Sequence, residues 1–237
     1  MRFHRFYVDQ EIGKEVLIDE KDLLHQWQKV FRFKAGDKII IFNGSSFDYD
    51  GHFKILTKKE AIIVVDNKRQ VKNPVNIELH IFQSIIKKDN FEFIVEKCTE
   101  LGVSAFHPLI SERSDQAHSG WIRQEKNIMR LNKIATEAAE QSGKTELPKI
   151  FNPEKLEKAI SDFDGQLFIL DFDGDRLAKI DFTQYGKVGI LIGPEGGWTD
   201  NERIWFEEKE IESICLGEQI LRAETAAIAA SSLILLG

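Results

Sequence analysis

A hydrophobic run that stops abruptly in a glycine-rich loop constrains the fold of this chain more than any other stretch. Residues 188–192 are apolar and indicate a buried strand. Gly193-Pro194-Glu195-Gly196-Gly197 follows at once, and a loop with so few side chains lets a ligand approach its backbone closely. Thr199 and Glu202 then have the spacing of a capping box, which predicts the start of a helix.

The same arrangement occurs a second time near the end of the sequence. Residues 211–216 indicate a strand, Gly217 opens a second loop, and an Ala-rich helix is predicted over residues 223–236. Two loops at the ends of parallel strands can form one pocket, because open α/β sheets bind ligands at that edge. Considered one at a time, each loop is equally well explained as an ordinary tight turn.

Strand and helix patterns alternate through residues 73–237. Further strands are predicted at 77–86, 105–110 and 167–170. Helices are predicted from Phe91 to a stop at Gly102, from Trp121 to Gln141, and after Thr199. Such alternation is typical of a mostly parallel sheet with helices on both faces, so we predict an α/β domain here.

Residues 1–72 have a different pattern, with short apolar or alternating runs separated by turn signals. Strands are predicted at 3–8, 15–18, 38–42, 47–56 and 61–65, with one helix over 20–31. This spacing predicts a small β-barrel. The polar, proline-containing segment 66–76 is interpreted as the linker to the α/β domain.

Composition limits the class of protein. The chain has 237 residues and 42% hydrophobic residues, which is enough for a real core, and no long apolar run or leader-like segment is apparent. Cys98 and Cys215 lie far apart without metal-ligand spacing, and we expect buried thiols in a reducing cytoplasm.

The formal net charge is −7, yet residues 1–72 carry 14 Lys and Arg against 11 Asp and Glu. A basic first domain suits contact with phosphate, although so small an excess is weak support.

The two glycine loops together resemble the C-terminal signature of the SPOUT class of RNA methyltransferases. The similarity is greatest to the family that methylates N3 of a uridine in small-subunit (16S) ribosomal RNA. Further matches follow in order along the chain, at 96–103, 111–114, 137–144 and around His25 and Phe31-Arg32. Lys144 stands where that family prefers Arg, which keeps the charge but loses the bidentate fork.

The resemblance implies a C-terminal SPOUT-type, trefoil-knotted parallel-sheet domain (73–237) preceded by a small PUA-like β-barrel that binds RNA (1–72). It implies S-adenosylmethionine as cofactor, 16S ribosomal RNA within the small subunit as partner, and a homodimer. Neither a metal nor a membrane is implied.

The resemblance also implies roles for individual residues. Arg222 is the candidate to offset charge on the uracil oxygens as N3 loses its proton. Glu224 is a candidate acceptor of that proton, with Glu195 as an alternative, and a carboxylate here could equally serve only to stabilise the cationic cofactor. The predicted cofactor-binding residues are Ile192, Gly193, Pro194, Glu195, Gly196, Gly197, Leu216, Gly217, Ile220, Leu221, Thr225 and Ala226. The predicted RNA-binding residues are Arg2, His25, Arg32, Arg113, Gln141 and Lys144.

Two alternatives remain open on the sequence alone. The run 168–175 contains Asp171-Phe172-Asp173-Gly174 and is similar to the nucleophile motif of haloacid-dehalogenase-type phosphatases. That motif normally opens its domain, whereas only 66 residues follow Asp171 here, so an acidic turn near the pocket is the simpler interpretation. A non-catalytic RNA-binding module is the second alternative.

Overall fold

The computed structural model describes residues 3–71, 76–114 and 120–237, which form two compact units. The first unit contains the residues up to 71 together with Ala139–Glu146, and the second contains the remainder. The predicted boundary between residues 72 and 73 lies outside the described residues. The segment Ala139–Glu146, predicted to belong to the second domain, groups with the first unit in the structure.

In the first unit, residues 3–71 form five strands in the spatial order β1-β3-β4-β5-β2. Only β1 and β3 pair in parallel; the other neighbours are antiparallel. The predicted helix is present but changes pitch, because α1 (Lys21–His25) continues as a π-helical turn at Gln26–Val30. That turn buries Trp27 edge-on against Phe6 and Phe53. The strands are β1 (Arg5–Tyr7), β2 (Glu15–Ile18), β3 (Lys38–Phe42), β4 (Phe47–Leu56) and β5 (Ala61–Gln70).

The first part of the predicted linker is a strand, so that interpretation was wrong for residues 66–70. Strand β5 runs to Gln70 and stays paired with β4 to its end. Its polar side chains have partners across the sheet: Arg69 pairs with Asp48 at 3.0 Å, and the Lys68 ammonium lies 3.9 Å from the Phe47 ring centroid. Cross-strand pairs of this kind stabilise a strand whose composition alone resembles a loop.

Arg5 holds the segment Ala139–Glu146 within the first unit. The Arg5 side chain is buried and pairs with Asp48 at 2.7 Å. It also donates hydrogen bonds to the backbone oxygens of Ala139 (2.9 Å) and Lys144 (3.2 Å). A guanidinium satisfies unpaired carbonyls at a helix C-terminus and interacts favourably with the helix dipole, so it stabilises this segment.

The described residues of the second unit contain a parallel sheet in the order β12-β10-β11-β6-β7-β8, with β9 also paired to β7. The strands are β6 (Glu78–Ser84), β7 (Ala105–Ile110), β8 (Lys149–Ile150), β9 (Glu154–Lys155), β10 (Gln166–Arg176), β11 (Lys187–Ile192) and β12 (Glu212–Cys215). The helices are α2 (Lys88–Leu101), α3 (Glu125–Ser142), α4 (Leu156–Ser161), α5 (Asp200–Glu208) and α6 (Ala223–Leu236). Helix α3, whose last residues belong to the first unit, starts later than predicted, although residues 120–122 are helical.

Local signals in the sequence set several helix ends as predicted. Gly102 ends α2 with φ 107°, a conformation that glycine adopts without steric cost. Thr199 and Glu202 form both hydrogen bonds of the capping box at the start of α5.

Cys98 and Cys215 are buried free thiols, as predicted, and burial raises the pKa of Cys98 to about 12. None of the helices described is long and apolar enough to cross a membrane.

Strand β10 departs from the predicted acidic turn. It extends from Gln166 to Arg176, but its pairing with β12 is interrupted between Leu170 and Asp175. Both of these residues face Ile214, so the residues between them form an excursion from the ladder. Gly174 lies so close to β12 that an added Cβ would be 2.4 Å from the Ile214 nitrogen. The run that looked like a turn is therefore a bulged strand, fixed by close backbone packing.

Candidate functional site

The carboxyl ends of β11 and β12, together with the interrupted part of β10 at residues 170–172, surround a cavity of about 810 Å³ in the second unit. Strand β10 lies between β11 and β12, so its interruption and the loops that follow β11 and β12 meet at one edge of the sheet. The structure brings both glycine loops to this cavity. Of the twelve predicted cofactor-binding residues, all line it except Thr225, which is exposed elsewhere on α6. Arg222 and Glu224 also line the cavity.

The first glycine loop is a compact turn. The Gly197 N–H donates to the Pro194 oxygen at 2.9 Å, and Gly197 has φ 68°, where a side chain would be strained. An added Cβ at Gly193 would lie 3.3 Å from the Trp198 ring, so the indole packs directly on the loop. An added Cβ at Gly196 would meet only Arg113, at 3.4 Å. The loop therefore presents its backbone to the cavity.

Arg113 occupies a place that its predicted role in RNA binding did not suggest. Its Nη1 donates to the backbone oxygens of Gly196 (2.8 Å) and Trp198 (3.3 Å). The neighbouring Glu112 N–H donates to Glu202 at 2.9 Å, and Glu202 also caps α5. These contacts tie the loop after β7 to the glycine loop after β11. The observed contacts of Arg113 are with the protein's own backbone and hold the cavity wall.

The second glycine loop leads directly into the N-terminus of α6. Arg222 is the N-cap residue, and its backbone oxygen accepts a hydrogen bond from the Ala226 N–H at 2.9 Å. Its side chain is exposed, and none of the described residues forms an ion pair with it. The nearby carboxylate of Glu218 lies 3.6 Å from the Arg176 side chain. Arg222 thus places in the cavity wall a positive charge that no carboxylate of the described residues neutralises.

A third wall, which the sequence analysis did not assign to the cofactor, is the excursion of β10. Leu170, Asp171 and Phe172 line the cavity there. Asp171 pairs with Arg203 of α5 at 2.5 Å and accepts the Phe172 N–H at 2.8 Å. A carboxylate that is held by these two donors and is 5% exposed is a poor nucleophile, so the phosphatase alternative gains no support.

Sequence reasoning missed several other cavity residues. They share no motif and come from the ends of different elements. They are Lys87, Asn90, Leu170, Trp198, Arg203, Gln219 and Ala223, together with Phe172. Two of them could have been identified from the sequence. Trp198 directly follows the first glycine loop, and Arg203 directly follows the capping box formed by Thr199 and Glu202.

The other predicted RNA-binding residues that can be placed lie in the first unit. His25 and Arg32 are exposed, and Arg32 has φ 58°, an uncommon conformation for a residue other than glycine. Gln141 and Lys144 lie in the segment that Arg5 anchors, and burial lowers the pKa of Lys144. Arg2 lies outside the described residues. Among the predicted RNA-binding residues that the structure describes, only Arg113 lies in the second unit.

The cavity fits a nucleoside cofactor. It offers glycine backbone at three positions of the first loop and apolar surface at Ile192. Two buried polar atoms nearby, Trp198 Nε1 and Gln83 Oε1, lack a hydrogen-bond partner among the described residues. Backbone amides, apolar surface and a small number of placed polar groups are the usual lining of such a site. No group of three or more His, Cys, Asp or Glu placed to hold a metal ion occurs in the described parts of the chain.

Comparisons with known proteins agree with this geometry. A family model described as an RNA methyltransferase domain matches residues 72–235, and one described as an RNA methyltransferase PUA domain matches residues 28–66. Ribosomal RNA small subunit methyltransferase E of Synechocystis is 31% identical, covering 86% of this chain and 67% of that protein. Its namesake in Mesomycoplasma hyopneumoniae is 30% identical, covering 95% and 96%.

A solved structure with the same architecture is that of ribosomal RNA small subunit methyltransferase E from Neisseria gonorrhoeae, bound to S-adenosylmethionine. It superposes with a TM-score of 0.85 at 27% identity and covers 98% of this chain and 96% of its own. The fold class predicted from the sequence, a parallel-sheet α/β domain preceded by a PUA-like β domain, is confirmed.

Proposed function

This chain belongs to the RNA methyltransferase family and is an S-adenosylmethionine-dependent ribosomal RNA methyltransferase; we propose that its target is N3 of a uridine in the small subunit. The observation that carries the proposal is the cavity formed by the carboxyl ends of β11 and β12 and the excursion of β10 between them. Both glycine loops, the guanidinium of Arg222 and the carboxylate of Glu224 line this one space. A cofactor and a reacting base can therefore be held side by side.

The glycine loops are the proposed cofactor site. The backbone of Gly193, Gly196, Leu216, Gly217 and Leu221 would hold the adenine and ribose, with buried Ile192 as apolar surface. Arg113, which also lines the cavity, would contribute by fixing the Gly196 carbonyl. When bound, S-adenosylmethionine supplies a methyl group made electrophilic by its sulfonium.

The protein's own task is to make the uracil N3 nucleophilic. N3 is a weakly acidic imide nitrogen and a poor nucleophile while it carries its proton. Arg222 would stabilise the negative charge that develops on the uracil oxygens as this proton leaves. Glu224, at the start of α6, is the proposed proton acceptor, with Glu195 of the first loop as the alternative.

The first unit would position the ribosomal RNA. Exposed His25 and Arg32 lie on it, and Gln141 and Lys144 lie in the segment that Arg5 anchors. Cations on such a surface contact phosphates and set the register of the RNA without reading its sequence. Because its substrate is ribosomal RNA, we place the protein in the cytoplasm.

We expect ribosomal RNA from cells that lack this protein to lose one N3-methyluridine. The measurement is mass spectrometry of the nucleosides released from purified small-subunit RNA, with a strain that carries the gene again as control. Adding the purified protein and S-adenosylmethionine to the deficient subunits should restore the nucleoside. Unchanged N3-methyluridine, or the loss of a different methylated nucleoside, would overturn the assignment of N3.

We also expect a homodimer, because α6 exposes apolar side chains at its end. Leu233 is 44% and Leu236 62% exposed, while Ala227 and Ala230 on the same helix are fully buried. Exposed apolar surface of this kind usually marks a contact with a partner. Light scattering at micromolar concentration should report about twice the 27.2 kDa of the chain. A monomer that still methylates RNA would contradict this expectation.

A further inference from the structure

The turn that ends the helix of the first unit carries an arginine where the backbone favours glycine. Arg32 follows the π-helical turn Gln26–Val30 and its C-cap Phe31, and it has φ 58°. The N–H of Phe33 then donates back to the Trp27 oxygen at 2.9 Å. The residue in this left-handed position after a helix is usually glycine or asparagine, because other side chains are strained there. The arginine therefore lowers the stability of a turn that glycine would form without strain.

The Arg32 side chain has no structural role that offsets this strain. It is exposed, and it forms neither a hydrogen bond nor an ion pair with any residue that the structure describes. Strained backbone conformations are concentrated at binding and catalytic sites, where the side chain is needed for a ligand. The conformation of Arg32 is thus a first indication that its guanidinium acts on a partner.

Aromatic and apolar surface lies beside Arg32. The exposed ring of His4 packs on the Phe31 ring with 4.5 Å between centroids. Phe31 in turn stacks on Phe33 at 5.5 Å with the ring planes 10° apart. Val30, which precedes Phe31 in the chain, is 65% exposed. These five residues together form what we call the Arg32 surface, and apolar groups clustered in this way mark an interaction site.

The charge around the Arg32 surface selects the partner. Residues 29–38 contain four Lys and Arg and a single Asp, and the Asp37 carboxylate already accepts the Lys34 N–H at 2.7 Å. Lys29, Arg32 and Lys34 are all exposed. Cations beside exposed aromatic rings suit a partner that is anionic and also has planar apolar groups. Unpaired RNA has both, whereas a duplex keeps its base faces stacked on one another.

We infer that the Arg32 surface takes an unpaired nucleotide of the ribosomal RNA, with a phosphate on Arg32 and the base stacked on His4. The inference rests on the proposed function and deepens it, since positioning through phosphates alone would not need aromatic rings. It assigns recognition of single-stranded RNA to five residues of the first unit, none of which lines the cofactor cavity. An acidic protein segment would use the cations but not the rings.

The first expected result is a loss of activity without a loss of stability. Arg32→Gly removes the strain together with the side chain, so its unfolding temperature should equal or exceed that of the parent. With small subunits from cells lacking the protein as substrate, its kcat/KM should fall on the order of tenfold, the scale of one charge-assisted hydrogen bond. Arg32→Lys should recover part of the activity. The matched control is Lys14→Gly, since Lys14 is an exposed cation of the same unit in the loop before β2, and it should keep the parent activity.

The second test measures the affinity for RNA directly. Fluorescence anisotropy compares a labelled oligouridylate with an RNA duplex of the same length, and the parent should bind the single strand more tightly. His4→Ala should weaken binding of the single strand about fivefold or more, the lower end for one base–aromatic stack, and leave the duplex unaffected. His4→Phe should keep the parent value. Arg32→Asn should weaken binding of both RNAs and reduce the salt dependence by about one phosphate contact.

Three outcomes would overturn the inference. If the parent binds the duplex as tightly as the single strand, or binds neither, the Arg32 surface does not select unpaired RNA. If the activity of Arg32→Gly stays within about twofold of the parent, the side chain is dispensable. If Arg32→Asn loses activity on subunits but keeps its affinity for the single strand, the occupant is a protein. If the parent leaves the subunits unmethylated, it is the proposed function that fails, while the RNA affinities still test the surface.

Discussion

Replacing Arg222 with alanine is expected to lower the rate of methyl transfer at least about a hundredfold, on the scale of losing one preorganised charge at a transition state. The fold and most of the cofactor affinity should remain, because the Arg222 side chain is exposed and pairs with no carboxylate among the described residues. Its backbone role at the start of α6 does not depend on the side chain. A surface ion pair would by contrast be worth less than about 1 kcal/mol.

The measurement is single-turnover methylation of small subunits at saturating S-adenosylmethionine, so that weaker binding does not imitate slower chemistry. Arg222→Lys should recover only part of the rate, because an ammonium cannot span two acceptors as a guanidinium does. Arg123→Ala is the matched control, since Arg123 is exposed and does not line the cavity. If Arg222→Ala stays within a few-fold of the parent, Arg222 is structural. Lys87, another cation of the cavity wall, is then the next candidate.

The Gly196→Val variant is expected to stay folded and to lose binding of S-adenosylmethionine. The parent should bind it, or its demethylated product, with an affinity in the micromolar range. An added Cβ at Gly196 would make only an ordinary contact with the Arg113 side chain, at 3.4 Å. The two further methyl groups of valine have to enter the cavity, where they would occupy the place of a ligand lying against the backbone.

Calorimetry with the purified protein measures this loss, and thermal unfolding verifies the fold. Gly196→Ala should bind more weakly than the parent but better than Gly196→Val, because only the Cβ is added. Gly186→Val is the matched control: an added Cβ at Gly186 has no atom within 4 Å, and this glycine is not part of the cavity. Normal binding by Gly196→Val would mean that the loop is only a turn.

Features that depend on neighbouring residues were accessible from the sequence. The strand before Gly193, the capping box of Thr199 and Glu202, and the glycine stop at Gly102 are all present as predicted. Each rests on hydrophobic periodicity or on hydrogen bonds within four residues, so the order of residues is sufficient to specify it. The meeting of the two glycine loops also followed, because the ends of parallel strands share one edge of a sheet.

Other features depend on residues that are far apart in the chain. No local pattern indicates that the Arg113 side chain donates a hydrogen bond to the backbone oxygen of Gly196, 83 residues away. Segment 66–70 looked like a linker, yet cross-strand partners such as Asp48 keep it in β5. Similarly, Arg5 draws Ala139–Glu146 into the first unit across more than 130 residues.

The third wall of the cavity shows most clearly what the tertiary structure alone decided. An acidic run at 171–175 has the composition of a turn, and its residues have no local reason to stay in a strand. They do so because Gly174 packs against β12 and Arg203 reaches Asp171 from α5. The sequence by itself thus determined the strands, the caps and the two glycine loops, since local hydrogen bonding and periodicity specify them. Only long-range packing decided which side chains face the cavity, because the folded sheet brings Asp171 to Arg203 and Arg113 to Gly196.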